Sequence, residues 1–282
     1  MKNRYSNIDF SKNNLPNNRF NLYKDILKNR LSLLFSIGLI VLLFSIPLLL
    51  VSIFKKIALI NVLNLDISDA DRYREFFATN NTFNLLYIVG FIILGVGLSG
   101  IYQVVRRLVY GENIIFKLDF KNGIKSNIKV FLLVGILIGF INFGFQFIIY
   151  YLTDVSKVSY QISIIVIIVL IGMLIPMIPI LLTSSTIYSL PLYGHIKNSF
   201  LLSYRKWYFS FPIGLLNIGL AFLSLIPNDI VYYLFITFMP LVFSPFIILL
   251  NVIYSDSLFD EYINKDNFKE IYRKGLSDYA SN

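Results

Sequence analysis

The stretch Val105–Lys129, VRRLVYGENIIFKLDFKNGIKSNIK, carries six Lys or Arg residues against two acids and lies between two long apolar runs. The rest of the chain makes that concentration unusual. Of 282 residues, 56% are hydrophobic and only 15% are charged, where a soluble domain carries about 25%. Mean hydropathy is +0.69. These values exclude an ordinary soluble domain and point to a chain that crosses a membrane several times. The net charge of +9 could attract nucleic acid. However, no basic face exists outside the connections between apolar runs, so no nucleic-acid partner is expected. With no cysteine, disulfides, thiolate metal sites and thiol nucleophiles are all absent.

A membrane helix needs about 20 apolar residues, each rising about 1.5 Å across a core of about 30 Å. Six stretches free of Asp, Glu, Lys and Arg are long enough: Leu31–Phe54, Phe76–Val105, Val130–Thr153, Val158–Ile196, Trp207–Asn228 and Ile230–Ser255. The fourth ends in LLTSSTIYSLPLYGHI, too polar for a second span. It reads as one helix kinked at Pro176 or Pro179, followed by an interfacial segment. The first run is longer than a signal-peptide core and ends in Phe54-Lys55-Lys56 rather than at a small-residue cleavage site, as a retained anchor would. The expected fold is therefore all-α, a polytopic membrane protein with six transmembrane helices.

Charge sets the expected orientation. Lys and Arg number seven in residues 1–30, six in 106–129, three in 195–206 and four after Ser255, against four in 55–82 and one at Lys157. The positive-inside rule then places both N- and C-termini in the cytoplasm of a bacterial cell, with the protein in its cytoplasmic (inner) membrane. Trp207 beside Arg205 and Lys206 suits an interfacial anchor on that side. The expected organisation is a cytoplasmic N-terminal segment over 1–30, a membrane domain over 31–255 and a cytoplasmic tail over 256–282.

The opening stretch also has a periodicity. Phe116, Phe120, Ile124 and Ile128 recur every four residues beside Lys117, Lys121, Lys125 and Lys129. As a helix this is an amphipathic elbow over 112–129, lying on lipid headgroups and bending at Gly123 into the third span. Ile114, Phe116, Leu118 and Phe120 also alternate as a strand would. A docking surface for a cytoplasmic partner is the other use of such an elbow. GIKSN at 123–127 resembles HIKNS at 195–199, by chance or as a parallel repeat. In the tail, Glu270 and Lys274 stand four apart before Gly275, which predicts a peripheral helix over about 267–274.

The chemistry on offer is sparse. Ionisable residues within spans mark proton relays and ion-coupled transporters, and the six stretches contain no Asp, Glu, Lys or Arg. His195, the single histidine, reads as an interfacial side chain. Glu112 and Asp119 read as salt-bridge partners rather than an acid–base pair. No phosphate-binding loop occurs, so no cofactor and no enzymatic activity are expected. The polar residues within the runs are Gln103, Asn142, Gln146, Asn217, Asn251 and the TSST run at 183–186. Their default role is hydrogen bonding between helices. If Asn142, Gln146, Asn217 and Asn251 converge, they could line a site for a neutral sugar or polyol. Gly135 and Gly139, and Gly97 with Gly100, suit close helix packing.

Residues 97–129, through Gly100, Arg106, Arg107, Gly111, Glu112, Asp119, Phe120, Lys125, Asn127 and Lys129, resemble the signature of the YesL-like family of bacterial integral membrane proteins. The tail FDEYINKDNFKEIYRKGL at 259–276 resembles that family's ending. Lys121 departs from the pattern, where an aromatic is usual. The match covers the two blocks and otherwise only hydropathy. The resemblance implies a non-enzymatic accessory to carbohydrate uptake, because relatives are often encoded beside carbohydrate ABC transporters. It transfers no catalytic residue. On this reading Arg106, Arg107, Glu112, Asp119, Phe120, Lys121, Lys125, Asn127 and Lys129 face a carbohydrate ABC transporter or another cytoplasmic-side protein. The alternative is a facilitative transporter of a small neutral solute.

Overall fold

Long runs of Leu, Ile and Phe become helices here, and each helix stops where a cap, a glycine or a proline gives the backbone another option. The computed structural model describes residues 15–151, 157–217 and 229–277, and among them there is no strand. A short α1 (Arg19–Asn29) starts at Asn18, whose side chain accepts from the Asn21 N–H at 2.8 Å. Arg30 separates it from α2 (Leu31–Leu63), which runs on through Lys55 and Lys56 to 33 residues because nothing there breaks a helix. In α3 (Asp69–Val109), Ser68 caps the start, acids occupy the first turn, and Arg106 and Arg107 occupy the last, matching the helix dipole. Gly111, at φ +64°, then turns the chain.

The stretch after that turn does not form an elbow. Helix α4 (Phe116–Tyr151) runs unbroken from the basic segment into the third apolar run, so neither the strand nor the bend at Gly123 occurs. A Cβ at Gly123 would stand 2.5 Å from Gln103 Cβ and 2.9 Å from the Ser99 carbonyl oxygen. Gly123 is there to let α3 and α4 close together, and Gly135 does the same against the Phe91 carbonyl. Phe120 packs over Gly100 and lies 6.1 Å from the Phe44 ring. The apolar face at Phe116 and Phe120 is thus taken up by protein rather than headgroups, while Lys117, Lys121, Lys125 and Lys129 stay exposed.

The fourth apolar run is broken at Pro176 into α5 (Lys157–Leu174) and α6 (Met177–Ile187). Pro179 sits harmlessly in the first turn of α6. After a short connection come α7 (Leu192–Arg205) and α8 (Trp207–Asn217); the rest of the fifth run, to Asn228, lies outside the described residues. The sixth run is α9 (Asp229–Phe238), a π turn at Met239–Phe243, then α10 (Ser244–Phe259). A second π turn (Asp260–Asn264) and α11 (Lys265–Asn267) complete it. Among the described residues, four helices are long and apolar enough to cross a membrane: Leu31–Leu63, Asp69–Val109, Phe116–Phe147 and Val231–Asn267. An outer belt of exposed apolar side chains, Leu39, Leu43 and Leu50 on α2 and Leu234, Phe235 and Phe238 on α9 among them, surrounds the bundle.

The chain after Ser255 departs most from expectation. Asp256 and Asp260 continue the last long helix, and turns rather than a helix follow Asn267. Arg273 and Gly275, at φ +57° and +86°, reverse the chain. That reversal drives Leu276 into the core formed by Leu22 and Ile26 of α1, Val105 and Val109 of α3, and Val252 of α10. The tail is packed, not peripheral.

Candidate functional site

Two places concentrate polar side chains. The first is a cleft of about 230 Å³ inside the bundle. Helix α2 contributes Val41, Ser45, Leu48, Ser52 and Lys55, which share one face at helical spacing. The other walls come from α3, α4, α6, α8, α9, the π turn and the start of α10, with Met239 and Pro240 at the turn itself. A π turn offsets the helix locally and often marks a functional position. Here it brings the backbone at Leu241 against Gly38, where a Cβ would meet the Leu241 oxygen at 2.0 Å.

Three of the four amides read from the sequence reach this cleft: Asn142 and Gln146 from α4 and Asn217 from α8. Asn251 of α10 stands behind Asn217, fully buried. The two amides bond reciprocally, Asn251 Nδ2 to Asn217 Oδ1 at 2.6 Å and Asn217 Nδ2 to Asn251 Oδ1 at 3.2 Å. Asn251 Nδ2 also donates to the Tyr102 hydroxyl at 2.9 Å, and Tyr102 is itself part of the wall. Asn251 therefore holds the wall, whereas Asn142, Gln146 and Asn217 belong to its surface.

Away from Asn217, at the level where α4 carries Asn142, stand groups that the sequence did not single out. Lys55 Nζ donates to Asn84 Oδ1 at 2.8 Å and lies 5.7 Å from the Tyr87 ring centroid. Ser52 and Tyr232 share a short hydrogen bond beside it. Asn84 is fully buried, and its Nδ2 has no hydrogen-bond partner. Lys55 was passed over because the charge-free criterion ends the first run one residue before it. The sequence signal that could have found this end is the Asn-rich start of α3, ATNNTFN at 78–84.

The second place is a knot of ion pairs at the opposite end of the bundle, where α1, the α3–α4 turn and the tail meet. Arg19 Nη2 lies 2.5 Å from Asp256 Oδ2 and 2.7 Å from Asp260 Oδ2, and its Nη1 donates to the Lys274 carbonyl at 2.9 Å. The Tyr110 hydroxyl donates to Asp256 Oδ1 at 3.1 Å, and burial pushes that phenol's pKa well above its ordinary value. Asp260 Oδ1 accepts from the Arg273 N–H at 3.1 Å and from Asn264 Nδ2 at 3.0 Å.

Four of the nine residues assigned to docking, Arg106, Arg107, Glu112 and Asp119, are used inside this knot instead. Arg107 pairs with Asp119 and, at 3.2 Å, with Glu112; Arg106 reaches Glu112 at 3.6 Å. Asp119 also accepts from the Ile115 N–H at 2.8 Å, closing the start of α4. Burial raises the pKa of Glu112, but the Lys274 hydrogen bond and the charges of Arg106 and Arg107 outweigh it, so the carboxyl lies below the ordinary range. Asn127 is buried and Phe120 half-buried. Only Lys121, Lys125 and Lys129 of the proposed docking set remain exposed, in line with Lys117 at four-residue spacing.

His195 is not interfacial. It is buried, its Nδ1 is 3.0 Å from Ser184 Oγ, and burial lowers its pKa. The TSST hydroxyls each bond within α6, to a carbonyl three or four residues back, and Ser184 alone also bonds across to α7 through His195. Among the described residues, no three acids or histidines gather as a metal site would require. Compared with protein-family models, curated proteins and solved structures, the chain matches none.

Proposed function

We propose that the protein is a six-span, non-enzymatic component of the bacterial cytoplasmic membrane, with both termini in the cytoplasm, that binds a small solute in its central cleft as a facilitative transporter would. The observation that carries this reading is that Asn142, Gln146 and Asn217 all line the central cleft. Amides spread over 76 residues of sequence thus punctuate the lining of one cleft inside an apolar bundle. The test is flux of radiolabelled sugars and polyols into proteoliposomes. Flux should exceed that of protein-free vesicles, and Asn142→Leu should reduce it about tenfold through the lost hydrogen bonds. Flux no faster than in empty vesicles for the whole panel would sink the transport reading.

A second reading, an accessory docked to a carbohydrate ABC transporter, is favoured by the exposed basic stripe Lys117–Lys121–Lys125–Lys129. The resemblance to the YesL-like family supports it. Replacing Lys121 and Lys125 by Glu should then abolish co-purification of the partner without lowering the melting temperature. Unchanged recovery of the partner would remove this reading.

A further inference from the structure

Among the described residues, Lys55 is the only charged side chain lining the cleft, and no Asp or Glu joins it there. Its contacts are the neutral Asn84 oxygen and the Tyr87 ring face. An ammonium group held in an apolar bundle without a counter-charge is costly. Asn84 adds a second uncompensated feature, because its fully buried Nδ2 offers N–H donors that nothing accepts. Two N–H sources thus stand side by side with no anion between them. From Lys55 back to Val41 the α2 face of the cleft runs 14 residues, about 21 Å at helical rise. Beyond Ser52 most of that surface is apolar, with Leu48 and Leu49 on α2 facing Phe91, Leu94 and Leu98 on α3.

We infer that the cleft takes a single-chain carboxylate amphiphile, its carboxylate held by Lys55 Nζ and Asn84 Nδ2 and its chain laid along Leu48, Phe91 and Leu94. A carboxylate neutralises the one cation of the lining, whereas a phosphate dianion would leave an unpaired negative charge. The apolar wall requires a chain rather than a small acid. The inference rests on the reading of the cleft as a solute site and assigns that site an anionic amphiphile in place of a neutral polar solute.

The full-length protein is placed in phosphatidylcholine nanodiscs, and binding of radiolabelled decanoate is measured by scintillation proximity, with empty discs as background. Decanoate should bind about tenfold more tightly than decan-1-ol, and decylamine should not compete. Lys55→Met should cost decanoate about tenfold or more and leave decanol unchanged, while Lys55→Arg should retain the preference. Asn84→Leu should lower decanoate affinity in the same direction, which keeps the test open if Lys55→Met does not fold. A change below about twofold in folded Lys55→Met would overturn the assignment. Equal competition by acetate would do the same, as would loss of decanoate binding in phosphatidylglycerol discs, which would transfer the site to a phospholipid. Decanol binding without any charge preference would defeat this inference and leave the cleft reading standing. No binding of either ligand would overturn this inference and leave the solute-cleft reading to the flux of sugars and polyols.

Discussion

Lys274 Nζ donates to Glu112 Oε1 at 2.7 Å, joining residues 162 apart in sequence. The contact ties the chain's end to the turn between α3 and α4. It also brings together the two blocks, 97–129 and 259–276, that carry the family resemblance. Gly275 makes the approach possible: a Cβ there would stand 2.2 Å from the Val109 carbonyl oxygen. The basic stretch and the tail are therefore one structural unit.

Removal of residues 265–282 should lower the melting temperature of the purified protein rather than leave it unchanged. Leu276→Ala alone should cost about 2–5 kcal/mol, as buried leucines do, because its side chain is 3% exposed within the main core. Equal melting temperatures for the intact and shortened chains would show that the packing of Leu276 contributes nothing.

The pH dependence of this docking follows from Glu112. Its folded pKa is depressed below the ordinary 4.5. Its contribution is therefore present above that value and lost as pH falls through the folded one. Hydrogen exchange over 268–277, corrected for its intrinsic pH dependence, should be constant from neutral pH down to 4.5 and should accelerate below it. Glu112→Gln, which keeps the shape but removes the titration, should take away that part of the acceleration. An unchanged profile in the variant would assign the effect to other acids.

Arg19 holds Asp256 and Asp260 apart in charge, and Asp256 is fully buried. Arg19→Ala should destabilise by about 3–5 kcal/mol, because it leaves two carboxylates facing each other without a counter-ion. Asp260→Asn should cost less, since Asp256 still pairs with Arg19. Thermal melts of the two variants in the same detergent compare them, and the reverse order would contradict the arrangement.

Close contact between α3 and α4 depends on the absence of a side chain at Gly135, where a Cβ would lie 2.7 Å from the Phe91 oxygen. Gly135→Leu should cost about 1–3 kcal/mol or more through overpacking. Gly144, with nothing within 4 Å of its Cβ position, should accept alanine without loss. Differential scanning fluorimetry of the two variants suffices to separate them.

Orientation is open to thiol labelling, because the native chain has no cysteine. A membrane-impermeant reagent applied to intact cells should label Asp69→Cys and Asp154→Cys but not Lys121→Cys or Lys269→Cys. Labelling of Lys121→Cys would invert the proposed topology.

The sequence by itself determined the helical class, the membrane-length apolar runs and the use of Glu112 and Asp119 as ion-pair partners. Hydropathy and charge are properties of composition along a short window, and they survive whatever the rest of the chain does. Tertiary structure alone decided what each polar residue faces. Phe116 and Phe120 carry the same periodicity whether they rest on lipid or on protein, and only the close approach of α3 at Gly100 and Gly123 settles the question. Lys55 looks like a flanking interfacial lysine until α2 is seen to continue past it and turn it towards Asn84. Helix ends and apolar period are local quantities, whereas a cleft, a buried ion knot and a docked tail are meetings of distant segments. No window of sequence contains the partner.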